Sequence, residues 1–236
     1  MKIIREATPS EFIKKAIILV IGTAIMALGC SCYYLSNAGV NNVGADPTGV
    51  FMIGVHIQLS RLVTIEYGTT MILINASLFV FLLIFKRKFL YFGTLVNALL
   101  LGTFINVFND LLRWMFPSGF PLPLHYMLPV IGTLLMGISL AIYLPINWGA
   151  SVIDCIILWI YEAAKKLPYK AVFWLLYLFF IITGLLMGGS VGYGTIVAAV
   201  FTGIVFDVLR CPLQKVVRVI FRLPPLESEA PEAKTA

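Results

Sequence analysis

The sequence predicts an all-α polytopic membrane protein. Six transmembrane helices are expected, as two inverted three-helix repeats, each with one additional short re-entrant or interfacial helix. Three observations lead there. The 236 residues are 60% hydrophobic and 12% charged, with mean hydropathy +0.97, against roughly 25% charge in a soluble domain. The chain repeats itself: Phe92-Gly93-Thr94-Leu95-Val96-Asn97-Ala98 returns as Tyr193-Gly194-Thr195-Ile196-Val197-Ala198-Ala199. Gly93/Gly194, Thr94/Thr195, Val96/Val197, Ala98/Ala199, Gly102/Gly203 and Val107/Val208 match at one constant offset of 101 residues. A repeat inside a membrane protein is a statement about architecture. Third, the basic clusters fall on one side of the bilayer when the two short helices do not cross it.

The elements follow in order. Thr8-Pro9-Ser10-Glu11 reads as a cap, a proline at the first helical position and a capping-box acid, opening a span at about 13–36. The apolar run continues past Cys30 and further spans follow, so it is read as an uncleaved span and not a signal peptide. After a loop at 37–44, Asp46-Pro47 starts a short helix at 47–63, whose second half carries His56, Gln58, Ser60 and Arg61. That half is too polar for a span, which needs roughly 20 apolar residues. Spans at about 67–85 and 89–112 complete the first repeat, 1–116. Pro117-Ser118-Gly119-Phe120-Pro121-Leu122-Pro123 is a linker.

The second repeat, 124–212, has spans at about 124–144, 169–187 and 193–209. Pro145-Ile146-Asn147-Trp148-Gly149 breaks the first of these, and Ser151 to Asp154 is a capping-box start for a short helix at 151–164. Cys211-Pro212 is expected to close the last span. Residues 213–236 read as a basic amphipathic stretch and a disordered tail.

The strong basic clusters are Lys2-Arg5-Lys14-Lys15, Lys86-Arg87-Lys88, Lys165-Lys166-Lys170 and Arg210-Lys215-Arg218-Arg222. With six spans they share one face, and the opposite face keeps only Arg61 and Arg113 as bases. Positive charge stays inside, so both termini are expected in the cytoplasm. Three spans per copy makes the copies inverted. The net charge of +6 is assigned to these clusters and to contact with anionic lipid, not to nucleic acid.

Catalysis is not expected. Gly188-Gly189-Ser190-Val191-Gly192 matches G-x-S-x-G, but it sits at a turn between spans, and neither histidine, His56 or His125, is placed to serve Ser190. No phosphate loop or zinc motif appears, so neither ATP drive nor a metal or other cofactor is expected. Cys30, Cys32, Cys155 and Cys211 form no disulfide framework.

The candidate substrate-binding residues are polar groups placed at membrane depth. Thr94, Ala98, Gly102 and Asn106 lie four apart, as do Thr195, Ala199, Gly203 and Asp207. Such a ridge either packs the two spans together or leads along a path whose polar marks are Asn97, Asn106 and Asp207. Asp207 can equally pair with Arg210 one turn on. Asp46 is a helix cap, and with Asn41 and Asn42 it also offers a helix N-terminus for a polar solute or cation. Asn75 is either glue between helices or a substrate contact. Arg61 and Glu66 read as an interfacial pair.

Ala38-Gly39, Asp46-Pro47, Gly54, Gly68, Phe92-Gly93-Thr94, Asn97, Gly102 and Asn106 together resemble the YczE/YitT group of bacterial integral membrane proteins, from about Lys14 to Pro212. The sequence departs from that pattern at Asn41-Asn42 and in the Arg61-containing short helix. The resemblance implies a bacterial cytoplasmic membrane protein and little about activity. The reading is a transporter or permease for a small polar solute or ion, not ATP-driven by itself. The alternative is a non-transporting membrane accessory or regulatory protein. Lipid is the expected environment, with a homo-oligomer or a membrane partner protein open.

Overall fold

The computed structural model describes residues 9–37, 42–87, 90–144, 151–164 and 167–221. These form helices only: α1 (Pro9–Ser36), α2 (Pro47–Ser60), α3 (Tyr67–Phe85), α4 (Phe92–Met115), α5 (Leu122–Tyr143), α6 (Val152–Ala163), α7 (Tyr169–Leu186) and α8 (Tyr193–Phe221). Five of them, α1, α3, α4, α5 and α8, are long and apolar enough to cross a bilayer. The expected sixth span is α7, apolar but shorter. Its 18 residues rise about 27 Å, just under a hydrocarbon core of roughly 30 Å.

The helix starts are local chemistry. The Asp46 carboxylate accepts the Gly49 N–H at 3.1 Å and the Thr48 hydroxyl, and Pro47 opens α2. Ser151 and Asp154 form the expected capping box on α6, each side chain bonding the other's backbone N–H at 3.2 Å.

α1 and α5 pack extensively on each other. Tyr33 meets Gly132 and Thr133, Gly29 meets Gly132 and Met136, and Gly22 meets Ser139 and Tyr143. Residue numbers rise along one helix as they fall along the other, so α1 and α5 are antiparallel. The contact is reciprocal: a Cβ on Gly29 would lie 3.0 Å from the Gly132 carbonyl oxygen, and one on Gly132 would lie 3.0 Å from that of Gly29. Small residues let the backbones approach, which is what joins helices in lipid, where apolar burial drives nothing. The Ser139 hydroxyl adds a 2.6 Å bond to the Gly22 carbonyl.

Each central helix carries a parallel neighbour. Asn97 on α4 donates to Thr23 on α1 at 3.0 Å, and Ser31 donates to the Ile105 carbonyl at 3.3 Å. On the other side Pro129 lies beside Gly194, and Gly137 beside Val205, placing α8 along α5. The short helices cross over. α2 packs on α7 through Gly54 and Gly184 and a Phe51–Phe180 ring contact at 5.3 Å, and α6 meets α3 through Phe81 and Trp159 at 5.7 Å.

Four sequence expectations are corrected. The first short helix ends at Ser60 and not at 63, because the Leu62 and Val63 N–H groups both turn back to the Leu59 carbonyl. The last helix does not stop at Cys211-Pro212. It runs through Pro212 to Phe221, since a proline removes one backbone bond from a helix that is otherwise continuous on both sides. The linker ends at Pro121, with Leu122 and Pro123 already inside α5, where a proline in the first turn loses no helical bond. Finally, the small-residue ridges of α4 and α8 do not join those two helices: α4 packs on α1 and α3, and α8 on α5. Gly102 fits against Gly68 of α3, with a Cβ at Gly102 only 2.2 Å from the Gly68 carbonyl oxygen, whereas a Cβ at Gly203 would meet nothing within 4 Å. Thr8, Asn41, Lys88, Pro145 to Gly149, Lys165, Lys166 and residues 222–236 lie outside the described residues.

Candidate functional site

A polar and aromatic cluster gathers where the C-terminal ends of α1 and α4 meet the second half of α2 and the start of α3. Tyr34 and Tyr67 stack face to face, 4.1 Å between ring centroids and 3° apart in plane. His56 meets both edge-on, at 5.6 and 5.5 Å. The Tyr34 hydroxyl bonds His56 Nε2 at 3.2 Å, and His56 Nδ1 bonds the Thr70 hydroxyl oxygen at 3.0 Å. Thr70 in turn donates to the Glu66 carbonyl at 3.3 Å. That chain of bonds assigns the imidazole proton to Nδ1, leaving Nε2 to accept from Tyr34. Burial, and then the nearby Arg113 charge, push the His56 pKa down, so the ring is neutral at physiological pH.

α4 supplies the other wall. Asn106, Asn109, Asp110 and Arg113 recur at helical spacing on one face. The Asn106 side-chain oxygen accepts the Gly68 N–H at 2.7 Å, and its amide donates to Thr69 at 3.1 Å. Arg113 lies 6.0 Å from the Tyr34 ring centroid, within reach of a cation–π contact. These groups, with Ile65 and Glu66, surround a cavity of about 150 Å³. Asn109 lines it, is 4% exposed, and its Oδ1 accepts no hydrogen bond from any described residue. A larger hollow of about 300 Å³ runs along the N-terminal half of α1 and is lined by apolar side chains alone.

The expected site residues are dispersed. Asn106 belongs to the cluster. Asn97, one face of α4 further down, is consumed by Thr23. Asn75 is buried within α3. Asp46 is buried as the α2 cap, and that burial raises its carboxyl pKa, against the Thr48 and Gly49 bonds that favour its charge. Asn42 and Asp207 are exposed, and Asn41 lies outside the described residues. Arg210 lies over the Phe206 ring at 5.9 Å. Arg61 bonds Gln58 at 3.3 Å, while Glu66 lines the cavity. Ser190 of the G-x-S-x-G match donates to Asn37 at 2.6 Å, which ties the α7–α8 turn to the end of α1. Sequence reading passed over Tyr34, Tyr67 and Asn109. The signal for the last was Asn106-x-x-Asn109-Asp110-x-x-Arg113, a polar face at the end of an apolar span.

Comparison with known proteins places the chain. Residues 4–210 match the model of a family of unknown function, DUF6198. The chain belongs to the DUF6198 family. It is 29% identical over 189 residues to the uncharacterized membrane protein YczE of Bacillus subtilis (strain 168), covering 78% of this chain and 80% of that protein. No solved structure matches. This DUF6198 chain is thus a membrane protein by relationship as well as by its apolar helices.

Proposed function

We propose that this DUF6198 protein is a transporter or permease for a small polar solute or ion, without ATP drive, enzymatic activity or cofactor of its own. The observation that carries the reading is the cavity where the C-terminal ends of α1 and α4 meet the start of α3, lined by Glu66, Asn106, Asn109, Asp110 and Arg113 beside Tyr34 and Tyr67. Polar groups at membrane depth are expensive, and those that fold alone requires are bonded within the fold.

The scaffold reading is two inverted three-span copies, α1, α3, α4 and α5, α7, α8, with both termini in the cytoplasm of a bacterium. The antiparallel, reciprocal contact of α1 with α5 supports it, as does the crossing of α2 to α7 and of α6 to α3. The topology is tested by single cysteines in a cysteine-free background. Ser118→Cys is expected to react with an impermeant thiol reagent on intact cells and Arg87→Cys only after permeabilisation. Labelling of both from outside would remove the inverted arrangement.

Transport itself is tested in proteoliposomes against a panel of small amino acids, amines and monovalent ions. Uptake above protein-free vesicles, lost in Asn109→Leu, is the expected result. Flux equal to empty vesicles across the panel would favour the second reading, a non-transporting membrane accessory protein. One observation leans that way: α3 and α5 contain no Asp, Glu, Lys or Arg, whereas coupled carriers place ionisable groups in their spans.

A further inference from the structure

We infer that one anionic phospholipid occupies a built site where α1 begins and α8 ends, with an acyl chain in the apolar hollow along α1 and its phosphate at Lys14, Lys15 and Lys215. The site lies at the other end of α1 from Tyr34 and does not depend on the transport reading. The hollow is lined by Phe12, Ile13, Ala16, Ile17, Val20 and Ile21. These form two ridges of side chains four apart on one helix, Phe12-Ala16-Val20 and Ile13-Ile17-Ile21. Ala16, the smallest of the six, deepens the groove between them. Phe12 and Ala16 pack against the core cluster of Ile18, Leu19, Met26 and Tyr143, while Ile13, Ile17 and Ile21 stand exposed. All six are apolar, and an apolar hollow is a poor place for water.

The dimensions of the hollow are those of a chain in one leaflet. A cavity of about 150 Å³ holds benzene, so one of about 300 Å³ holds about twelve carbon atoms. Phe12 to Ile21 rises about 14 Å along the helix, close to half of a hydrocarbon core of roughly 30 Å. An acyl chain laid along α1 therefore runs from headgroup level toward the bilayer midplane and covers side chains that the bundle leaves open.

Charge selects the headgroup. Lys14 and Lys15 interrupt the apolar run between Ile13 and Ala16. α8 brings more bases to the same level. Its 29 residues rise about 44 Å, so about nine of them extend past a core of roughly 30 Å. Val217 and Phe221 of that extension pack against the same core cluster as Phe12 and Ala16. Lys215 and Arg218 lie three apart on it, on one side of the helix. Over residues 9–21 and 212–221 four bases stand against one acid, Glu11. An anionic headgroup complements that balance, whereas the cation of a choline headgroup meets repulsion. Net positive charge attracts anionic lipid in general; α1 and α8 add a groove that holds one chain below the bases. Lys86 and Arg87 at the end of α3 line no part of that hollow.

The test is native mass spectrometry of the purified full-length protein in detergent, titrated with dioleoyl phosphatidylglycerol and dioleoyl phosphatidylcholine. One phosphatidylglycerol is expected to bind saturably, at least tenfold tighter than phosphatidylcholine. Glycerol 3-phosphate, the phosphate without a chain, is expected not to compete. Lys14→Gln combined with Lys15→Gln is expected to weaken phosphatidylglycerol at least tenfold, and Lys215→Gln alone about fivefold. Ile17→Trp fills the hollow from a side chain 45% exposed and is expected to weaken it about tenfold. Lys86→Gln combined with Arg87→Gln removes the same charge elsewhere and is expected to bind as wild type. The charge variants and the hollow variant are independent, so misfolding of one leaves the other to decide. Equal binding of the two lipids, competition by glycerol 3-phosphate, or wild-type affinity in Ile17→Trp would each overturn the site. So would equal weakening in the Lys14/Lys15 and Lys86/Arg87 variants, which marks surface charge alone. A dimer in the same spectra that retains no lipid and is lost in Ile17→Trp would assign the hollow to a second copy of the chain and overturn the lipid.

Discussion

Gly102→Ala is expected to destabilise the protein by about 3 kcal/mol, the upper range for forcing an extra carbon into a packed interior, while its repeat counterpart Gly203→Ala is expected to be neutral or stabilising by about 0.5–1 kcal/mol from lost backbone freedom alone. The two glycines occupy matching positions in the two copies of one motif. The added carbon at Gly102 would lie 2.2 Å from the Gly68 carbonyl oxygen and 2.5 Å from Ile72, and the backbone oxygen cannot swing aside as a side-chain end can. α3 and α4 would have to part, straining the Asn106 bond to the Gly68 N–H as well. At Gly203 the same carbon meets open space. Reversible unfolding of both variants in SDS–detergent mixtures measures the difference. Equal effects would show that α8 is covered on that face by something the single chain does not supply.

The second large effect is expected at Gly44. Its φ is +86°, in the left-handed region, and a Cβ there would sit 2.2 Å from the Gly192 backbone nitrogen and 2.8 Å from the Thr195 hydroxyl. This is where the loop before α2 docks on the start of α8: the Gly194 N–H donates to the Val43 carbonyl at 2.8 Å, and Asn37 accepts from Gly44 N–H at 3.0 Å and from Ser190. Gly44→Ala is expected to cost about 3 kcal/mol, combining backbone strain with a displaced loop. Gly119 separates the two contributions. Its φ is +84° and nothing lies within 4 Å of a Cβ there, so Gly119→Ala carries the conformational cost alone, about 1–2 kcal/mol. The same unfolding measurement reads both variants. If Gly44→Ala is no worse than Gly119→Ala, the docked loop does not contribute to stability.

Much of the fold was legible because it is written in local chemistry. Asp46-Pro47 and Ser151 to Asp154 start helices through bonds that span three residues, and those bonds form as the spacing implies. Apolar runs of sufficient length mark bilayer helices, whose backbone must bond within itself in lipid. The end of the last helix was misread because proline weighs on one backbone bond, whereas the helix is held by all the others. The candidate site was half legible. Asn106 stands out at the end of a small-residue ridge, but Tyr34, His56 and Tyr67 come from three other segments, and nothing in their own neighbourhoods announces that they will stack.

By itself the sequence determined that this is a helical membrane protein with an internal repeat, where most helices begin, and which residues share a face. Periodicity carries that much, since side chains three and four apart lie on one side of a helix whatever surrounds it. Only the tertiary structure decided what each face touches. Gly102 is covered because α3 offers Gly68 against it, while at Gly203 an added carbon meets nothing and the position is left open. Likewise three asparagines on one helix look alike in sequence. Their bonds depend on what other helices bring: the Asn97 and Asn106 amides donate to Thr23 and Thr69, the Asn106 oxygen accepts the Gly68 N–H, and the Asn109 oxygen meets no donor among the described residues.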